Sequence, residues 1–247
     1  MILMLLATTN KYTRPTMCGR FTLTAAERAV AARFGVTVPR GYFGSVATYN
    51  IAPTQSVVVV GDDGKRYLTQ MRWGLVPSWA KDPSIGNRMI NARAETLTVN
   101  PAVRVAIRKR RCLIVADGFY EWKKEGTQKQ PVRIVLKSRE PFGFAGRWEH
   151  WTSPEGEEIL TCTVITTGAN ELFKAVHDRM PVILTRDAET AWFDPKIQEP
   201  EKLLPLLQQY PEDQMEYNLV SRQVGSPTVD KPSNIEPIET DQRHEER

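Results

Sequence analysis

Residues 113–166 constrain the fold more than any other part of this chain. Five segments, 113–116, 119–123, 132–136, 142–147 and 159–166, are dense in β-branched and aromatic residues and are separated by turn-forming residues. No long amphipathic helix lies between them, so the strand–helix alternation of a parallel doubly wound sheet is missing. Upstream, residues 57–60 and 66–72 flank Gly61-Asp62-Asp63-Gly64 and read as a hairpin. Residues 24–34 read as a helix, with Thr24 and Glu27 at the spacing of a capping box and Gly35 placed to end it. A second helix is predicted from Asn100-Pro101 to about Arg111, and short ones over 170–175, 188–193 and 201–208. Together these predict one α+β domain, a curved or barrel-like, mainly antiparallel sheet with peripheral helices.

The chain of 247 residues is long enough to bury a core without disulfide or metal staples. Its three cysteines, Cys18, Cys112 and Cys162, form no C-x-x-C pair, and His150, His177 and His244 have no metal-ligand spacing. With no glycine-rich phosphate loop of the P-loop or G-x-G-x-x-G form, neither metal nor cofactor is predicted. The apolar start, residues 1–7, is too short to span a bilayer and has no basic residue before it, which points to a cytoplasmic protein with no membrane partner. From Ser226 onward six acids face three bases, a net −3 within a chain of net +4, which leaves a body of +7 suited to a polyanion. Order is expected to decline from Ser226 on.

Four segments carry chemistry. In Met17-Cys18-Gly19-Arg20-Phe21, removal of everything before Cys18 would leave an α-amine beside a thiol. A 1,2-aminothiol condenses with an aldehyde to a Schiff base and then closes a thiazolidine, which an internal cysteine cannot do. The competing reading is a buried, inert cysteine in a first strand. In Asn91-Ala92-Arg93-Ala94-Glu95-Thr96, Asn91 can donate to a substrate oxygen and Arg93 can hold a phosphate, or the segment is simply a turn and cap. Glu121 stands among Phe119, Tyr120 and Trp122, surroundings that raise a carboxyl pKa toward acid–base use, or it is an outward-facing strand residue. In His177-Asp178-Arg179-Met180-Pro181, His177 can shuttle a proton and Arg179 can pair with phosphate, or the segment is a surface turn. Trp73 and Trp79 share a Gly/Pro-containing loop and can stack on bases or pack in the core. The bases between Arg104 and Arg111 make a phosphate track or a solvated helix face.

Taken in order, Met17–Phe21, Tyr49-Asn50-Ile51-Ala52-Pro53-Thr54, Trp73-Gly74-Leu75-Val76-Pro77-Ser78-Trp79, Ile90–Thr96, Asp117-Gly118-Phe119-Tyr120-Glu121-Trp122, His177–Pro181 and the weaker Val220-Ser221-Arg222-Gln223-Val224 closely resemble the SRAP family of abasic-site processing proteins. The resemblance implies an SRAP-like domain over residues 17–238, after an extension (1–16) that is removed or not translated and before a polar tail (239–247). It implies catalytic roles for Cys18, Asn91, Glu121 and His177, and DNA contacts for Arg93, Arg179 and Trp73, with Arg20 and Asn50 carried over less firmly. The activity implied is a covalent thiazolidine crosslink from Cys18 to abasic sites in single-stranded DNA by a monomer, nucleoid-associated when bound. One departure stands out: the family cysteine is residue two, whereas sixteen residues precede Met17 here, so if translation starts at Met1 the bond between Met17 and Cys18 must be cleaved, by the chain itself or otherwise. An N-terminal-nucleophile peptidase or amidase and a noncovalent single-strand binder are the competing functions.

Overall fold

The computed structural model describes residues 18–38, 47–97, 99, 104 and 106–238. The predicted hairpin forms as β3 (Ser56–Asp62) and β4 (Arg66–Trp73), paired from Ser56 opposite Arg72 to Asp62 opposite Arg66. The five segments that dominate the sequence become β6 (Arg111–Ala116), β7 (Gly118–Glu125), β8 (Gln128–Leu136), β9 (Phe142–Thr152) and β10 (Glu158–Gly168). Every residue of β6 is buried, as expected of a strand enclosed on both faces.

Strands β10, β4, β3, β6 and β9 close on themselves through the β9–β10 pairing, giving a five-stranded barrel. All its pairings are antiparallel except β4 with β10, where Arg72 lies beside Thr161. A second, antiparallel sheet runs β12 (Met215–Leu219), β8, β7, β1 (Phe21–Leu23), β2 (Thr48–Ile51). Two short strands extend β10 past the barrel: β5 (Asn91–Arg93) lies parallel to it and β11 (Arg179–Pro181) antiparallel. Barrel and sheet meet through aromatic rings. Phe21 packs 5.0 Å from Trp73 and 5.8 Å from Phe144, and Phe119 sits 5.7 Å from both Phe144 and Phe173. These side chains are fully buried, the setting in which aromatic pairs contribute beyond their area.

Helices stay at the periphery: α1 (Glu27–Phe34), α2 (Glu171–Lys174), α3 (Arg186–Phe193) and α4 (Pro200–Leu203). Helix α1 begins later than the capping box predicts. Its N-cap is Ala26, without a side-chain cap, because Thr24 is taken by the Asp117 carboxylate, which accepts from the Thr24 amide at 2.5 Å and hydroxyl at 2.7 Å. Gly35 ends α1 at φ 65° as predicted. Within the helix predicted from Asn100, residues 104, 106 and 107 are helical, 100–103 and 105 lie outside the described residues, and Arg111 belongs to β6. Residues 1–17 and 239–247 lie outside them as well.

Ordered structure continues past Ser226, against the expectation from composition. The Asn50 amide donates to the carbonyls of Val224, Ser226 and Val229, and the Tyr49 amide donates to Asp230 at 2.6 Å. Asn234 is buried, and Val220 bridges Pro237.

A buried ion cluster ties α1 to α3. Glu189, 1% exposed, receives both guanidinium nitrogens of Arg33 at 2.6 and 3.1 Å and lies 3.6 Å from Arg66. Glu189→Ala would leave two cations uncompensated, so a stability loss of about 3–5 kcal/mol is expected in denaturant unfolding. A loss below about 1 kcal/mol would mean that water already screens the cluster.

Candidate active site

The pairing of β1 with β7 builds the centre of the site. Phe21 lies opposite Phe119 and Thr22 opposite Gly118, and the Tyr120 amide donates to the Arg20 carbonyl at 2.9 Å. Continued in this register, Gly19 reaches Glu121. The backbone nitrogen of Cys18 accordingly donates a hydrogen bond to Glu121 Oε1, although 103 positions separate the two residues. Asp117 fixes the segment just after β1: besides Thr24, its carboxylate accepts from the Thr22 hydroxyl at 2.5 Å and the Ala25 amide at 2.8 Å. Arg133 faces it at 3.4 Å. Asp117 was legible only as part of a motif; its anchoring role depends on partners 92–95 positions away.

Glu121 is 3% exposed, and burial pushes its carboxyl up to about 8, against the opposing pull of the amides of Cys18 and Trp122. The carboxyl is therefore largely protonated at neutral pH and ready to give a proton. Burial also pushes the Cys18 thiol well up, and the Glu121 charge adds to that. Cys18 holds φ 47°, in the left-handed region that a residue with a Cβ seldom adopts.

An open cleft of about 1130 Å³ lies against this centre. Glu121, Trp122, Lys124 and Lys129 line it from β7 and β8, together with Lys174 to Asp178 and with Gly19, Arg20, Pro53 and Gly225. His177 Nδ1 lies 2.6 Å from the Asp178 carboxylate and 3.2 Å from the Arg179 amide. These contacts are alternatives: a protonated Nδ1 donates to Asp178, and a bare one accepts from Arg179.

The family model for SOS response associated peptidase (SRAP) matches residues 17–227. The chain belongs to the SRAP family. It is 47% identical to the abasic site processing protein YoqW of Bacillus subtilis, over 89% of this chain and 99% of that one. It is 28% identical to the abasic site processing protein YedK of Escherichia coli, over 90% of this chain and 100% of that one. Among solved structures, a protein from Bacteroides thetaiotaomicron superposes with a TM-score of 0.79 at 26% identity, covering 90% of this chain and 100% of that one.

Within this SRAP domain, the residues singled out by sequence fall into two groups. Glu121 and His177 line the cleft, and Cys18 touches Glu121. Asn91 opens β5 beside Val164, and Arg93 follows on the same strand beside Thr166, exposed. The Arg179 guanidinium is held by Glu95 at 2.9 and 3.0 Å and donates to the Thr166 carbonyl at 2.7 Å. Arg179 and Arg93 in turn hold the Glu95 carboxyl below its usual value.

Three residues expected at DNA make contacts within the protein. Trp73 is fully buried against Phe21 and donates its indole N–H to the Ile90 carbonyl at 2.9 Å. Asn50 is buried by its clamp on the C-terminal segment. Arg20 donates to Asn50 at 3.1 Å and to the carbonyls of Val224 and Gly225 at 2.8 and 3.1 Å, fixing a wall of the cleft. In the loop after β4 the exposed ring is Trp79, at 72%. Gly74 shapes that loop: at φ 122° it passes so close to Gly86 that a Cβ would stand 2.6 Å from the Gly86 carbonyl oxygen.

Proposed function

We propose that this chain processes abasic sites in DNA by bonding covalently through Cys18 to the ring-opened sugar of a single strand. The observation that carries the reading is the hydrogen bond from the Cys18 backbone nitrogen to a buried carboxyl raised to about 8, at the edge of a cleft open to solvent. The names of the relatives support the same substrate.

The chemistry begins once Cys18 is the first residue. His177 assists opening of the sugar hemiacetal to its aldehyde. The Cys18 amine adds to the aldehyde carbon, giving a carbinolamine, and Asn91 steadies the amine and the sugar oxygen. The Glu121 carboxyl gives its proton to the departing hydroxyl, which leaves as water, and an iminium remains. Glu121, now a carboxylate, takes the thiol proton, and the sulfur closes on the same carbon. One water is lost overall and Glu121 ends as it began. A single strand suits this reaction because the sugar enters the cleft without the cost of unpairing a duplex. Arg93, exposed on β5, and Arg179 on β11 would take the backbone phosphates.

Release of Cys18 uses the same groups. The thiol attacks the Met17 carbonyl, the nitrogen departs with a proton from Glu121, the thiol's proton restores the Glu121 carboxyl, and water hydrolyses the thioester. Two features favour this step: Glu121 already contacts the nitrogen that must be protonated, and cleavage removes the left-handed φ of Cys18 and its strain of about 1–2 kcal/mol.

The test is a denaturing gel of the protein with an oligonucleotide bearing one abasic site, beside an undamaged one. A shifted band on the damaged strand alone is expected, and its absence from a chain shown by intact mass to begin at Cys18 would overturn the proposal. A further prediction concerns Trp79. Loss of base stacking in Trp79→Ala should weaken noncovalent single-strand binding by about 1–3 kcal/mol, read by fluorescence anisotropy, with no change in melting because the ring is exposed.

A further inference from the structure

The β7–β8 hairpin carries a feature that stability alone does not explain. Lys124 stands directly opposite Lys129 across its ladder. Such neighbours share a face with Cβ atoms about 5 Å apart, and like charges placed so destabilise the pair. Both are exposed and both line the cleft. Among the described residues neither is in a salt bridge, whereas Lys174, which also lines the cleft, is tied to Glu171 at 2.5 Å. The remaining charges on the cleft do not offset them. Glu121 is largely protonated below about pH 8, Asp178 is a single carboxylate against the two lysines, and Arg20 is matched to neutral oxygens. The cleft therefore holds surplus cations concentrated on one wall, with an unfavourable pair at its rim.

We propose that Lys124 and Lys129 form a phosphate clamp that grips the backbone of a nucleic-acid strand on the β7–β8 wall of the cleft. This rests on the reading that a DNA strand enters the cleft. It adds a contact on β7 and β8 to the cleft that Glu121 and His177 also line. A phosphate between the two ammonium groups converts their repulsion into a shared attraction. The hairpin suits the task because its two-residue turn, with Gly126 at φ 61°, keeps the lysines in register on a rigid ladder.

The test uses the full chain and an undamaged oligo-dT, so it does not depend on covalent chemistry. Binding is followed by anisotropy across a salt series for the wild type, K124Q/K129Q, K124R/K129R and the control K65Q, whose lysine is exposed outside the cleft. The glutamine pair should weaken binding and reduce the slope of log affinity against log salt by about 0.7–1.4, in line with one or two phosphates released. The arginine pair should keep the slope, and K65Q should leave it unchanged. Melting of K124Q/K129Q should equal or exceed the wild type, because the opposed charges are gone. An unchanged slope in the glutamine pair overturns the clamp, as does an equal loss in K65Q or a loss in the glutamine pair traceable to a lower melting temperature and shared by the arginine pair. Wild-type binding to oligo-dT without any adduct on abasic DNA would overturn the covalent reading and leave the clamp standing.

Discussion

Cys18→Ala, in a chain begun at Met17 so that an aminopeptidase exposes residue 18, should give no adduct that survives denaturing electrophoresis, yet borohydride should still trap it on abasic DNA. The two results separate the steps of the chemistry. Alanine keeps the α-amine, whose pKa of about 7.7–8.0 leaves a nucleophilic fraction at neutral pH. That amine still forms an imine with the aldehyde, and reduction freezes the imine as a secondary amine. Without a thiol no ring can close, so the unreduced imine hydrolyses when the protein unfolds. The same substitution in the chain begun at Met1 should abolish trapping too, because the thiol that releases residue 18 is gone and its nitrogen stays an amide. A stable adduct from either alanine chain would move the nucleophile away from Cys18. Trapping from the Met1 alanine chain would show that something other than the Cys18 thiol cuts the preceding bond.

How much of this was legible in the sequence depends on where each residue finds its partners. Strands β6 to β10 were readable because their β-branched and aromatic content is local and their turns are marked. Strands β1, β5 and β11, of three residues each, carry no periodicity of their own. They exist because β7 and β10 offer them an edge. Thr24 matched a helix cap by spacing, but Asp117, 93 positions away, outcompetes the cap for its amide.

The site divides in the same way. Glu121 was readable because the aromatic residues that desolvate it are its chain neighbours. Trp73 and Trp79 belong to one short segment and differ only in which meets Phe21, a contact between residues 52 positions apart that leaves Trp79 facing solvent. Arg20 and Asn50 are residue types that suit DNA, yet several of their donors go to carbonyls of the C-terminal segment. That requirement also explains why a stretch rich in proline and charge is ordered beyond Ser226: backbone oxygens there are satisfied by side chains from the first fifty residues rather than by its own composition.

Glu121→Gln should slow adduct formation on a Cys18-exposed chain by about 10²–10⁴-fold, measured by single-turnover gel assays. Glutamine keeps a carbonyl oxygen to accept the Cys18 N–H, so the geometry survives while the proton relay is lost. Wild-type rates should rise as the α-amine deprotonates and fall as pH passes about 8, where Glu121 ionises and can no longer protonate the leaving hydroxyl. The glutamine chain should lack that alkaline fall. Stability should change in the opposite sense. The carboxyl sits near 4.5 when unfolded and near 8 when folded, so the folded chain holds this proton more tightly. The stabilisation this provides is complete below about pH 4.5 and is lost as pH rises through about 8, at about 1.4 kcal/mol per pH unit. Above pH 8 the wild type holds a buried carboxylate and the variant a neutral amide, so Glu121→Gln should be the more stable protein by a few kcal/mol in denaturant unfolding. A variant that is both inactive and less stable at pH 9 would mark Glu121 as a structural acceptor rather than an acid. Slower chemistry joined to greater alkaline stability is what a carboxyl kept buried for its proton requires.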